Sequence, residues 1–148
     1  MQHSDYMDLA IREAERAAKI GEAPIGCLIV KDGEIIATGH NTRETDHDAL
    51  GHAEINAIRA ACKSLDSWRL SGCTLYVTLE PCPMCMGAII NARVDTVVFG
   101  AYDPKAGCCG TLADFAKLGF NHTPEILGGI RELVCRKLLS DFFTNLRA

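Results

Sequence analysis

The stretch from residue 74 to residue 99 limits most strongly what this chain can fold into. Residues 74–79 and 94–99 are rich in β-branched and aromatic side chains, so both are predicted strands. Between them, Pro81-Cys82-Pro83 begins a predicted short helix that runs to about Asn91, since proline is tolerated in a first helical turn. A strand–helix–strand unit of this kind predicts two parallel strands joined by a right-handed crossover.

The rest of the chain continues the alternation of helices and strands. Apolar spacing predicts helices over 5–19, about 52–62, weakly near 111–118, and 131–146, with strands at 25–30, 34–38 and 124–127. Lys31-Asp32-Gly33 suits a tight hairpin turn, and the polar stretch 39–51 is a predicted loop. We therefore expect one α/β domain over 1–148. It should be a three-layer α/β/α sandwich of about five mixed, mostly parallel strands with helices on both faces.

Composition narrows the class of protein. A chain of 148 residues that is 48% hydrophobic can bury a core, and we find no apolar stretch long enough for a signal peptide or membrane span. We therefore expect a soluble, cytoplasmic protein with no membrane partner. Eight cysteines in such a chain indicate buried thiols and metal ligands more than disulfides. The net charge of −4 argues mildly against a nucleic-acid partner.

Cys82 and Cys85 form the clearest chemical motif. Two cysteines three positions apart at a helix start can turn both sulfurs to one point, which is a common zinc-binding arrangement. A helix N-terminus also stabilises the thiolate form that binds metal. A redox-active Cys-x-x-Cys pair is the alternative, but it would have no need of a nearby His-x-Glu.

His52-Ala53-Glu54 supplies what the two cysteines lack. His52 is a candidate third ligand, although residues two apart on a regular helix do not share a face, so spacing alone does not bring His52 and Glu54 together. A glutamate near a helix start can also simply stabilise the helix dipole. His-x-Glu followed by Pro-Cys-x-x-Cys is nevertheless the signature of zinc-dependent nucleobase deaminases, in which the glutamate carries protons and is not a ligand.

The sequence resembles the bacterial tRNA-specific adenosine deaminases of the cytidine and deoxycytidylate deaminase superfamily. They convert the wobble adenosine of an anticodon to inosine. The likeness covers nearly the whole chain. Beyond the metal motifs it includes Gly39-His40-Asn41, Asp103-Pro104-Lys105-Ala106-Gly107, Asn121-His122 and Ser140-Asp141-Phe142-Phe143.

The resemblance implies a role for each matching residue. His52, Cys82 and Cys85 would bind one Zn²⁺ per subunit, and Glu54 would shuttle the proton. Asn41 would hydrogen-bond the flipped base. Residues that would face the anticodon stem-loop are Lys105, Asn121, His122, Phe143 and Arg147. The family is homodimeric, so the resemblance also implies a homodimer.

Two other functions remain open from the residues alone. A deaminase of free bases or nucleotides, of the cytosine, guanine or deoxycytidylate type, would share the zinc motif and would suit the acidic net charge. A structural zinc or RNA-binding module without catalysis would need a fourth protein ligand, for which Cys108 or Cys109 is the candidate. It would also leave Glu54 without a task. Three protein ligands favour catalysis, and four would exclude it.

Overall fold

The computed structural model describes the backbone of residues 1–147 and the side chains of residues 1–146. Four helices follow the chain order α1 His3–Lys19, α2 Ala53–Leu65, α3 Pro83–Asn91 and α4 Glu132–Arg147. The five strands are β1 Gly26–Lys31, β2 Glu34–His40, β3 Cys73–Leu79, β4 Thr96–Ala101 and β5 Glu125–Leu127. Each corresponds to a predicted element, with bounds that differ by a few residues.

The strands form one mixed sheet in the order β2-β1-β3-β4-β5. β3 pairs with β4 and β4 with β5 in parallel, whereas β1 pairs antiparallel with both β2 and β3. Reversal of β1 alone therefore accounts for both antiparallel pairings, and the other strands run in one direction. The expectation of a mixed, mostly parallel sheet is confirmed.

Helices cover both faces of this sheet. α1 and α4 pack on one face, where the buried side chains include Met7, Leu28 and Cys135. α2 and α3 pack on the other face, over a larger core that includes Ile29, Leu75 and Val97. The three-layer arrangement is therefore confirmed. Among the described residues, none of the helices is long and apolar enough to cross a membrane.

The hairpin turn predicted at Lys31-Asp32-Gly33 and the weak helix predicted near 111–118 differ in outcome. Asp32 and Gly33 both adopt positive φ, 52° and 78°, as the tight hairpin between β1 and β2 requires. The weak helix predicted over 111–118 is wrong except for one 3-10 turn at Phe115–Lys117. The backbone N–H groups of Leu112 and Ala113 donate to the carbonyl of Gly107, and that of Phe115 donates to the carbonyl of Cys108. These bonds replace the pairing with the carbonyl four residues earlier that an α-helix requires.

β2 lies unusually close to α2, and this contact places the functional residues. A Cβ on Gly39 would lie 2.7 Å from the backbone nitrogen of Ala57, so only glycine lets the strand approach the helix this closely. His40 ends β2 and His52 precedes α2. The close packing therefore brings the residue after the strand, Asn41, toward the start of the helix.

Candidate functional site

The N-termini of α2 and α3 meet at the carboxyl-terminal end of β3. His52 is the N-cap of α2 and has extended backbone angles, φ −83° and ψ 151°. Cys82 is the N-cap of α3, and Cys85 lies in the first turn of that helix. Because His52 stands outside the helix, it and Glu54 do not need to share a helical face. His52 and Glu54 can therefore both face the site although they are only two residues apart, because the helix begins after His52.

The side chains of His52, Cys82 and Cys85 form a group that can hold a metal ion. The Nδ1 atom of His52 lies 3.6 Å from the Cys82 sulfur and 3.5 Å from the Cys85 sulfur, and all three donor atoms lie within 4.8 Å of one another. A tetrahedral zinc ion with about 2.0 Å to nitrogen and 2.3 Å to sulfur places those donors roughly 3.5 Å apart. The geometry and the donor types therefore fit zinc.

The cysteines at 108 and 109 lie outside this group. Among the described residues, the metal-binding cluster contains three donors and no fourth. Cys108 is buried, and the Cys109 thiol packs 3.6 Å from the sulfur of Met86. A site with three protein donors leaves a coordination position open, which favours catalysis over a purely structural zinc.

Local electrostatics favour a thiolate at Cys82. A hydrogen bond from the Cys85 thiol lowers the pKa of Cys82 to about 4, and the ring of His52 contributes in the same direction despite partial burial. The same hydrogen bond, together with burial, raises the pKa of Cys85. The pair thus holds one negative charge at the N-terminus of α3, where the helix dipole also favours it. A thiolate is the form of cysteine that binds metal.

Glu54 lies beside the three metal donors and is almost completely buried, with 4% of its surface exposed. Burial raises the pKa of its carboxyl group from 4.5 to about 7, and the negative charge of Cys82 adds to this shift. A carboxyl group with a pKa near neutrality can both accept and donate a proton at physiological pH. Glu54 therefore has the chemistry expected of a proton carrier.

A cavity of about 430 Å³ lies between His52, the loop after β2 and α4. Asn41 and His52 both line it, together with Arg43 and, from α4, Phe142, Phe143 and Leu146. The Oδ1 atom of Asn41 is buried and has no hydrogen-bond partner among the described residues. An unpaired buried acceptor costs free energy, and a ligand in this cavity that donates a hydrogen bond to Oδ1 would remove that cost.

Asn56 holds the Asn41 backbone in position. The Asn56 side-chain amide donates to the carbonyl of His40 and to the hydroxyl of Thr42, at 2.9 and 3.0 Å. The backbone N–H of Asn41 itself donates to the carbonyl of Ile25. Because the backbone is fixed on both sides, the side chain of Asn41 is presented to the cavity in a defined orientation.

The remaining residues predicted to contact RNA are dispersed. Phe143 lines the same cavity as Asn41, whereas Asn121 lines a separate apolar groove between α2 and α3. Lys105 is exposed. His122 donates from Nε2 to the carbonyl of Val94 at 2.7 Å, so one of its ring nitrogens is already used. The side chain of Arg147 falls outside the described part of the chain.

Sequence reasoning missed two buried carboxylates beside the site. Glu22 accepts hydrogen bonds from the backbone of Glu44 and from both the backbone and the hydroxyl of Thr45. Glu80 accepts hydrogen bonds from the loop that follows β4. Each glutamate is 1% exposed. The sequence offered one signal for such a residue: Glu80 directly follows the apolar strand β3, which is an unusual place for a charged side chain.

Comparisons with known proteins agree with this geometry. The MafB19-like deaminase family model matches residues 1–147. A tRNA-specific adenosine deaminase of Bacillus subtilis (strain 168) is 54% identical over 96% of this chain and 89% of its own length.

Two solved structures share the fold and a substantial part of the sequence. A structure from work on A-to-I editing by tRNA:A34 deaminases at the wobble position of transfer RNA has a TM-score of 0.87 and 40% identity, over 91% of this chain and 99% of its own. A guanine deaminase of Bacillus subtilis has a TM-score of 0.69 and 43% identity, over 75% and 71%. The chain is therefore a member of the MafB19-like deaminase family, and within it belongs with the tRNA-specific adenosine deaminases.

Proposed function

We propose that this protein hydrolyses the exocyclic amino group of the wobble adenosine in a tRNA anticodon, yielding inosine and ammonia, with zinc as its metal. The observation that carries the proposal is the meeting of three metal donors, a buried carboxyl group and an unpaired amide oxygen at one site. The similarity to proteins named for tRNA adenosine deamination supports the choice of substrate.

His52, Cys82 and Cys85 would hold the zinc ion. Bound there, zinc would lower the pKa of a coordinated water toward about 7, so that hydroxide can attack the ring carbon that carries the amino group. Glu54 would accept one proton of the attacking water and deliver it to the ring nitrogen. It would then take the proton of the hydroxyl added to the ring carbon and deliver it to the amino group, which leaves as ammonia. Its burial keeps bulk water away from the carboxyl group while these transfers occur.

Asn41 orients the base. Its unpaired Oδ1 accepts a hydrogen bond from an amino or ring N–H group of the flipped nucleobase, which satisfies the buried acceptor. Phe143 lines the same cavity and offers an aromatic surface on which a base of the anticodon loop can stack. We assign Lys105, Asn121, His122 and Arg147 to contacts with the flanking nucleotides.

A deaminase of a free nucleobase is the second candidate. The structural similarity to a guanine deaminase at 43% identity favours it, as does the net charge of −4. The longer match to tRNA deaminases in sequence and in structure outweighs both points.

We also propose that residues 1–148 form a single domain that acts as a homodimer in the cytoplasm, where tRNA substrates are found. All five strands belong to one sheet. The apolar groove between α2 and α3 has a volume of about 670 Å³ and is lined by exposed or half-buried hydrophobic residues that include Leu50, Met84 and Phe120. Exposed apolar grooves of this kind commonly form protein–protein interfaces.

The decisive experiment offers an anticodon stem-loop with a wobble adenosine to the zinc-loaded protein, in parallel with free adenine, adenosine, cytosine and guanine. We expect inosine in the RNA and no ammonia from the small molecules. Ammonia from guanine or another free base alone would replace the tRNA assignment by the second candidate.

A matched variant tests the chemical role of Glu54. Glu54→Gln keeps the size of the side chain but cannot carry the proton, so we expect turnover to fall about 10²- to 10⁴-fold while one zinc per chain is retained. Turnover by LC–MS and zinc by elemental analysis measure the two quantities. Wild-type turnover in the variant would exclude Glu54 as the proton carrier.

A further inference from the structure

Glu80 is a buried carboxylate that the deamination chemistry described above does not use. It follows β3 directly and stands two residues before the metal donor Cys82. Only 1% of its surface is exposed, and no cation pairs with it among the described residues. A charge in such a position persists only when hydrogen bonds compensate for the lost hydration.

All of the compensating donors to the Glu80 carboxylate come from one segment, residues 103–111, which we name the 103–111 loop. Oε1 accepts from the backbone of Asp103 at 3.0 Å and from the hydroxyl of Thr111 at 2.5 Å. Oε2 accepts from the backbone nitrogens of Cys109 at 2.9 Å and Thr111 at 3.2 Å. The carboxylate therefore ties together the start and the end of the loop.

Two further contacts hold the 103–111 loop against the metal-donor segment. Gly107 passes so close to Glu80 that a Cβ at this position would collide with the carboxyl group. The backbone nitrogen of Cys108 donates to the carbonyl of Pro81 at 2.9 Å, immediately before Cys82. The loop is thus built around Glu80 and lies beside the metal donors, with the exposed Lys105 near its centre.

We propose that Glu80 is a positioning residue that holds the 103–111 loop in the conformation that binds the RNA substrate. The inference rests on the proposed function, because Lys105 and its neighbours matter only if an anticodon loop binds there. Glu80 touches neither the base nor the metal in this account. Its loss therefore weakens RNA binding and leaves the chemical step intact.

The sign of the expected effect separates positioning from simple electrostatics. Removing a carboxylate raises the net charge from −4 to −3, and a less acidic protein should attract phosphates slightly better. Positioning predicts the opposite, a weaker interaction with RNA. Glu15→Gln, an exposed change on α1, removes the same charge and serves as the matched control.

The test compares Glu80→Gln with wild type in steady-state kinetics on the anticodon stem-loop. The amide replaces one acceptor oxygen by a donor that faces backbone N–H groups, so the loop loses hydrogen bonds. We expect KM to rise about tenfold or more, kcat to stay within about threefold and zinc to remain at one per chain. An unchanged KM, an equal loss in kcat, or loss of zinc would each overturn the inference.

Hydrogen exchange gives a readout that does not depend on turnover. The amides of Asp103, Cys109 and Thr111 should exchange faster in Glu80→Gln than in wild type or in Glu15→Gln. If wild type proves inactive on RNA, the proposed function fails, and unaltered exchange at these amides would separately overturn the anchoring role.

A second pair of variants covers the case in which Glu80→Gln does not fold. Thr111→Val removes only the hydroxyl donor to Glu80, and Thr111→Ser keeps it. We expect a smaller rise in KM for the valine variant and a KM close to wild type for the serine variant. Equal KM values in all three proteins would contradict the proposal.

Discussion

The backbone around Asn41 is held by hydrogen bonds, whereas its side-chain oxygen lacks a hydrogen-bond partner among the described residues. Its neighbours His40 and Thr42 are both held by Asn56, while its own Oδ1 is buried without a partner among the described residues. Leaving a buried acceptor unpaired costs about 1–3 kcal/mol. This arrangement lowers stability in the free protein, and a bound base that donates to Oδ1 would remove the cost.

Replacing Asn41 should therefore separate stability from activity. We expect Asn41→Ala to change the free energy of unfolding by no more than about 1 kcal/mol, because the lost contacts are offset by removal of the unpaired acceptor. The value of kcat/KM should fall about 10- to 100-fold. Urea unfolding and kinetics measure the two quantities. A large loss of stability with kcat/KM unchanged would show that Asn41 has a structural role instead.

Glu22 makes stability depend on pH. Burial raises the pKa of its carboxyl group, but hydrogen bonds from Thr45 and Glu44 and the charge of Arg43 outweigh this effect and lower the pKa below its ordinary value of 4.5. A carboxyl group whose pKa is lower in the folded state stabilises the protein above the unfolded pKa. That contribution disappears as the pH falls through the folded pKa.

The corresponding variant is Glu22→Gln, measured by urea unfolding at pH 7 and at acidic pH. At pH 7 we expect it to be less stable than wild type by about 1–3 kcal/mol, because charged hydrogen bonds are lost. The difference should narrow as the pH drops below 4.5, because Glu22 takes up a proton first in the unfolded chain and, at the lower folded pKa, also in the native protein. A constant difference at every pH would mean that the charge of Glu22 does not contribute.

The contact between β2 and α2 connects the fold to the site. Gly39 leaves no room for a side chain against Ala57, and the same helix begins directly after His52. Any increase in the separation of strand and helix therefore changes the distance between Asn41 and the metal donors. The close packing of Gly39 against Ala57 therefore helps to set the geometry of the site.

Gly39→Ala tests this dependence. The new Cβ must push α2 away, so we expect a loss of about 1–3 kcal/mol in the free energy of unfolding together with weaker zinc binding. Thr38→Ala, an exposed change on the same strand, should shift stability by no more than about 0.5 kcal/mol. Chemical denaturation and zinc titration provide the measurements. Equal behaviour of the two variants would show that the strand and helix can separate freely.

The whole protein presents an apolar groove between α2 and α3, on the sheet face that also carries the metal donors. Phe120 lies at this groove with 48% of its surface exposed and packs edge-on against Phe115. Burial of such a residue against a second copy would contribute to association roughly in proportion to the apolar area removed from water.

Phe120→Asp should therefore convert the proposed homodimer to a monomer, because a charge at the centre of an apolar interface is costly to bury. Sedimentation equilibrium measures the mass. The control Leu133→Asp places the same charge at an exposed position on α4 and should leave the dimer intact. A monomeric wild-type protein would contradict the homodimer, and a dimeric Phe120→Asp variant would exclude this groove as the interface.

Local patterns determined much of what the site contains. The strand–helix–strand pattern of residues 74–99 and the remaining periodicity predicted the mixed three-layer sandwich, because apolar spacing reports which face of an element is buried. The spacing of Cys82 and Cys85 and the motif of His52 and Glu54 likewise predicted a group that can hold a metal ion, because the residues of each motif are close neighbours in the chain.

Tertiary structure decided how the His52–Glu54 motif and the Cys82–Cys85 motif come together. Only the packed chain shows that His52 caps α2 outside the helix, that Gly39 draws β2 onto that helix, and that the Oδ1 of Asn41 remains unpaired. It also shows why 111–118 is not a helix, since the amides of Leu112, Ala113 and Phe115 donate to the carbonyls of Gly107 and Cys108 instead of to carbonyls four residues earlier. These features depend on contacts between residues far apart in the chain, and local periodicity carries no information about which distant groups will come into hydrogen-bonding distance.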